Sequence, residues 1–221
     1  MRAGGVVACA MSLAGCFSKP TFATPPDGQG SADSPTDGCT TPAQSDDFNG
    51  GGTACPFGVA YNLPNSARSS GQMRVSPPAG PEQYSTCTML SVPFAAGTFV
   101  EVSTTLTVTS GITQLVVETA FHTVAFNMQN DDGQYLALVS ESTEAKRDTY
   151  DPVAMRWWRL RPAGAMIAGD ISANGLDWTP FGELSVGSDA IDDVGVTFGA
   201  GHYNNEPSPG TAVFDGWNAC P

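Results

Sequence analysis

After Asp46, several stretches of the chain alternate apolar and polar residues with period two. Within 99–109, Val100, Val102, Leu106 and Val108 fall on one face, and Glu101, Ser103, Thr105 and Thr107 on the other. That is the pattern of a half-buried strand. Val124, Phe126 and Met128 alternate as far as Asn130-Asp131-Asp132-Gly133, a hairpin signal, and residues 135–139 return as the partner strand. Further strands are predicted at 155–161, 166–171, 194–198 and 211–215, with turns at Pro162-Ala163-Gly164 and Ala173-Asn174-Gly175. No helix longer than a turn or two has both caps and periodicity. Many short strands between Gly, Pro, Asn and Asp turns predict an all-β fold, a two-sheet antiparallel sandwich or jelly roll.

The pattern stops upstream of Asp46. Residues 17–45 are rich in Pro, Ser, Thr, Gly and Asp and cannot bury enough apolar surface to offset chain entropy, so they read as a flexible tether. Before them, Arg2 precedes a small apolar run over residues 3–14, too short to span ~30 Å of hydrocarbon but the length of a signal-peptide core. Its end, Leu13-Ala14-Gly15-Cys16, resembles the bacterial lipobox. The resemblance implies a removed signal peptide over 1–15 and lipidation at Cys16, leaving a tether over 16–45 and one domain over 46–221. It implies an exported protein, lipid-anchored at the outer membrane or cell surface, because Phe17 stands where the inner-membrane retention rule calls for Asp.

Charge narrows the partners. The 221 residues hold 9 Lys+Arg against 22 Asp+Glu, a net charge of -13. Such a chain is unsuited to tracking phosphates on a nucleic acid or to binding an anionic membrane surface. We therefore expect no nucleic-acid partner, and a monomer whose negative charge serves solubility.

A family resemblance rests on the C-terminal half. Arg156-Trp157-Trp158-Arg159-Leu160-Arg161, then 172–178 (Ser-Ala-Asn-Gly-Leu-Asp-Trp), 194–198 (Val-Gly-Val-Thr-Phe) and 212–217 (Ala-Val-Phe-Asp-Gly-Trp) resemble concanavalin A-like lectin/glucanase jelly rolls. Asp46-Asp47-Phe48 looks like the opening strand of that superfamily. The resemblance implies the fold, but its members include lectins, hydrolases and adhesion modules. Within it, Asn174-Gly175 makes a tight turn, Trp178 folds back over that turn, and Phe214 is core. Four cysteines remain in the mature chain beside Cys16, which allows three pairings. Opening and closing strands lie side by side in this fold, which implies Cys39–Cys220 and then Cys55–Cys87, the latter pinning a long loop over 56–86.

Hydrolases on this jelly roll carry two acids on one strand face, as E-x-D-x-E or E-x-D-x-x-E, because both carboxyls must flank one glycosidic bond. No such run occurs here. The nearest pair, Glu141 and Glu144, lacks the central Asp, and Glu101 and Glu118 are single acids expected to face solvent. No catalytic residue is therefore assigned. His122 is read as a hydrogen-bonded core or edge histidine sharing a face with Val124 and Phe126. No cofactor is expected: Asp131-Asp132 and Asp192-Asp193 are too few ligands for Ca²⁺, and no metal-binding spacing of Cys and His occurs. The binding candidates lie on the 155–161 strand. Trp158 and Leu160 have core parity, while Trp157, Arg159 and Arg161 share the other face. An outward Trp beside guanidiniums can stack on a sugar and bond its hydroxyls or an acidic group; the structural alternative is Arg over Trp, bonded to neighbouring acids. Tyr203 is a candidate rim contact. The expectation is a non-catalytic glycan-binding surface lipoprotein. The alternatives are a glycoside hydrolase or lyase with a divergent carboxylate pair, or a structural or protein-interaction module of the envelope.

Overall fold

The computed structural model describes residues 42, 44–50, 55, 58–63, 66–141 and 143–221. The described residues form fourteen strands: β1 (Val59–Tyr61), β2 (Ala67–Ser69), β3 (Gln72–Val75), β4 (Gln83–Pro93), β5 (Thr98–Thr104), β6 (Gly111–Glu118), β7 (Thr123–Asn130), β8 (Gln134–Ser140), β9 (Thr143–Thr149), β10 (Trp157–Ala163), β11 (Met166–Ser172), β12 (Thr179–Ser185), β13 (Asp193–His202) and β14 (Ala212–Trp217). They make two seven-stranded antiparallel sheets. The front sheet runs β1-β4-β13-β6-β7-β8-β9 and the back sheet β12-β11-β10-β5-β14-β3-β2. The architecture is a two-sheet antiparallel jelly-roll sandwich.

Alternation builds the core. Leu115 and Val117 of β6, Val124, Phe126 and Met128 of β7, and Val196 and Phe198 of β13 point inward from the front sheet. Val100 and Val102 of β5, Trp158 and Leu160 of β10, and Phe214 of β14 point inward from the back. Aromatic pairs weld the two layers: Phe126 with Trp158 at 6.1 Å and Phe198 with Phe214 at 5.3 Å between ring centroids. The Trp158 indole N–H, buried with its ring, donates to the Met155 carbonyl at 2.8 Å. Entry and exit of the domain meet where Asp46 and Trp217 exchange backbone hydrogen bonds of 2.8 and 2.7 Å. Arg68 clamps Asp46 by an ion pair.

Four expectations are corrected. The segment between Cys55 and Cys87 is not a loop: it holds β1, β2, β3 and the first half of β4. Only Met73 and Val75 of β3 reach the core, so few apolar residues suffice there. The 99–109 strand ends at Thr104, because the chain then bends and Leu106 N–H bonds the buried Thr113 hydroxyl at 3.0 Å. Thr105, expected on the solvent face, is buried. His122 lies in the turn before β7 rather than within the strand. The Cys55–Cys87 disulfide is present, and Cys220 is disulfide-bonded. Cys16 and Cys39 lie outside the described residues, as does the 1–15 signal segment.

Candidate functional site

Register and parity together define the outer face of the front sheet. With Val194, Val196, Phe198 and Ala200 of β13 in the core, Gly195, Thr197, Gly199 and Gly201 point outward. Cross-strand pairing lines them up with neighbours in ranks. One rank reads Thr86, Gly199, Gln114, Asn127, Ala137, Arg147, from β4 across to β9. The next reads Thr88, Thr197, Val116, Ala125, Val139. Although these side chains face away from the core, Thr197, Val116, Ala125 and Ala137 are buried. The band is thus a recess floored by small residues, with amides and hydroxyls set into it. Thr88 and Thr197 share a hydroxyl–hydroxyl bond of 2.8 Å. Asn127 Oδ1 is buried without a hydrogen-bond partner.

One end of the recess is aromatic. Tyr84 lies so close against Gly201 that a Cβ there would fall 2.2 Å from the ring, which makes this position one that only glycine fills. Tyr203 meets Tyr84 edge-on at 5.7 Å and is 51% exposed. Burial, then the neighbouring Tyr203 hydroxyl, pushes the Tyr84 phenol well up. At the other end Glu118 stands opposite Gly195. Its side chain opens to solvent, yet the surrounding walls withdraw enough water to raise its carboxyl above the ordinary value. Between β4 and β8 the two central ranks carry no carboxylate.

Beside that end, Asp189 of the β12–β13 connection accepts from Thr119 Oγ1, from Phe121 N–H at 3.1 Å and from His122 Nδ1 at 2.9 Å. The Asp189 hydrogen bond raises the His122 imidazole, and bonds from Thr119 and then His122 hold the Asp189 carboxyl down. Glu141 bonds Thr123 N–H at 2.8 Å and the Ser140 hydroxyl, whereas Glu144 is held by Arg147 at 2.7 Å. The two acids serve different partners. Asp131, Asp132, Asp192 and Asp193 are exposed, and among the described residues no three Asp, Glu, His or Cys side chains are grouped to hold a metal.

The other candidates sit on the back sheet, away from Tyr203. Parity on β10 is as the pattern reads it, with Trp157, Arg159 and Arg161 outward. Trp157 offers no open ring, however, being only 4% exposed. Phe99 packs on it at 6.2 Å, and the Asn174-Gly175 turn lies over it, with a Gly175 Cβ position 3.0 Å from the indole. Trp178 packs against Phe99 at 6.0 Å and beneath Arg159, whose guanidinium carbon stands 4.2 Å from the indole centroid. The turn is built by Ser172 Oγ, which accepts from Gly175 N–H at 2.9 Å, and by Asn174 Oδ1, which accepts from Leu176 and Asp177 N–H, each at 2.9 Å. Asp170 of β11 lies opposite Arg159 and bridges both arginines, 2.9 Å from Arg159 Nη2 and 2.8 Å from Arg161 Nε. Arg156 is paired with Glu101, whose carboxyl is raised by burial against the lowering pull of Arg156.

Solved structures place this architecture. The chain is similar to the laminarinase of Flavobacterium sp. UMI-01, with TM-score 0.58, 6% identity, and 80% of this chain and 98% of that chain covered. It is similar to SCLam, a non-specific endo-β-1,3(4)-glucanase of family GH16, with TM-score 0.57, 8% identity, and 81% and 95% covered. It is also similar to a glycosyl hydrolase family protein of Mycobacterium fortuitum, with TM-score 0.55, 9% identity, and 80% and 99% covered. No family model and no curated protein matches the sequence. At such identities the likeness defines the fold and leaves the chemistry to the residues themselves.

Proposed function

We propose that this is a surface-displayed, lipid-anchored lectin-like protein that binds a glycan in the recess of the front sheet without cleaving it. The observation that carries the reading is the central rank Thr86, Gly199, Gln114, Asn127. It sets hydroxyl and amide groups over a small-residue floor where a chain of sugars can approach the backbone. The buried acceptor on Asn127 gains a partner when a bound hydroxyl turns the half-buried amide. Tyr84 and Tyr203 supply a ring edge and an exposed ring at one end, suited to a sugar's apolar face. Neutral polysaccharide suits a recess whose central ranks lack acids, and the glucanase likenesses support carbohydrate as the ligand class.

A glycan array followed by calorimetry on the best hit tests this. Binding that is lost in Asn127→Ala and Gln114→Ala, with no release of reducing ends from the bound glycan, is the expected result. Release of reducing ends that stops in Glu118→Gln replaces the reading with a hydrolytic one. An array without hits points to a protein-interaction module. Mass spectrometry of the exported protein tests the anchor, which requires a diacylated or triacylated N-terminal Cys16.

A further inference from the structure

The back sheet carries an arrangement that the front-sheet recess does not explain. Three of the chain's 9 Lys and Arg residues are Arg156, Arg159 and Arg161. Glu101 takes Arg156, so Arg159 and Arg161 share the single carboxylate of Asp170. Asp170 is 1% exposed, while the two arginine side chains are 23% and 35% exposed. The anchoring acid is therefore sealed, and the guanidiniums that cover it reach solvent.

Among the described residues, the polar contacts of both guanidiniums run to Asp170 on their inner side. Arg159 uses Nε at 3.0 Å and Nη2 at 2.9 Å on Asp170 Oδ2. Arg161 uses Nε at 2.8 Å on Oδ2 and Nη2 at 3.4 Å on Oδ1. Among the described residues, Nη1 of each has no protein acceptor. Stacking on Trp178 fixes the plane of Arg159. The two residues are i and i+2 on one strand face, about 6.6 Å apart along the chain. The result is a pair of pre-oriented donors with one net positive charge. Guanidinium N–H groups match the oxygens of a carboxylate or sulfate. Glu183 of β12 faces outward in register with Ala168, beside Arg161, but forms no ion pair with it.

We propose that Arg159 and Arg161 form an oxyanion-binding fork that takes a carboxylate or sulfate substituent of an acidic polysaccharide on the back sheet. The net charge of -13 repels closely spaced phosphates, whereas a glycan with one oxyanion per sugar can seat a single group there. The fork is independent of the front-sheet recess, so either site can fail alone.

The test uses the full chain and calorimetry with four probes: trigalacturonate, its fully methyl-esterified form, galactose 6-sulfate and triglutamate peptide. Trigalacturonate or galactose 6-sulfate binds, and which of them binds assigns the oxyanion. Affinity falls with salt, and the ester binds at least about ten-fold more weakly. Arg161→Gln weakens binding about ten-fold, whereas Arg74→Gln, which removes the same charge from the same sheet's outer face, leaves it within two-fold. Arg161→Lys restores part of it. Equal binding of acid and ester overturns the fork on the unmutated protein, whatever the variants do to folding. No binding of either acidic sugar at millimolar concentration, or equal losses in Arg161→Gln and Arg74→Gln, also overturns it. Triglutamate binding as tightly as trigalacturonate reassigns the face to an acidic protein partner and overturns the glycan.

Discussion

Gly175 lies on the face of Trp157, at a φ of +73° and with its Cβ position 3.0 Å from the indole. Gly175→Ala therefore meets two penalties, a left-handed backbone that L-residues resist and a ring with nowhere to move. The left-handed conformation alone costs about 1–2 kcal/mol. Urea unfolding of this variant should show at least that loss, with β10 losing amide protection before the front sheet does.

Among the described residues, Asp170 is the sole counter-charge for two arginines. Asp170→Asn leaves both guanidiniums without it, and breaking a buried pair costs about 3–5 kcal/mol. Because Arg161 is partly exposed, solvent recovers some of that, and a loss on the order of 3 kcal/mol is expected by chemical denaturation. Asp170→Asn with Arg159→Leu should recover part of the loss.

His122 and Asp189 tie the β6–β7 turn to the β12–β13 connection. The His122 value is raised above its ordinary 6.5, so its contribution is complete below 6.5 and disappears as pH rises through the raised value. The Asp189 value is lowered from 3.8, so its contribution is present above 3.8 and disappears as pH falls through the lowered value. The tie is strongest in weak acid. The stability difference between the parent chain and His122→Gln should be largest near pH 5 and shrink towards pH 8. A difference that grows with pH contradicts the pairing.

Asn127 carries a buried acceptor without a partner, a group that costs roughly 1–3 kcal/mol when left so. Asn127→Ala should leave thermal stability unchanged or raise it while glycan affinity falls. Such a split separates a binding role from a structural one.

The Cys55–Cys87 disulfide closes a segment with a sequence separation of 32 that contains three short strands. Replacing both cysteines by Ala should cost about 2–4 kcal/mol. Exchange should rise first in β2 and β3, where only Met73 and Val75 anchor the chain in the core.

Much of the fold was legible because the apolar face of each central strand is written with period two. Val124, Phe126 and Met128, with the Asn130–Gly133 turn, define β7 and β8 without further information. β9 was not legible, since all its positions are exposed and it is a strand only through its pairing with β8. Parity assigned Trp157 to the outer face, but its cover comes from Phe99 and Gly175, which lie far from it in sequence. The recess was hidden for the same reason. Thr86, Gly199, Gln114 and Asn127 become neighbours only once the register of four strands is known.

The lack of an apolar stripe on β9 has a use. Among the described residues this strand ends the front sheet, and its outer backbone edge is a template onto which another chain could add. Glu144, Lys146, Arg147 and Asp148 stud it with charges of both signs, which a docking strand would have to desolvate. These four residues act as guards against edge-to-edge aggregation. Exchanging them for Val and Thr would turn a border into a seed for fibres.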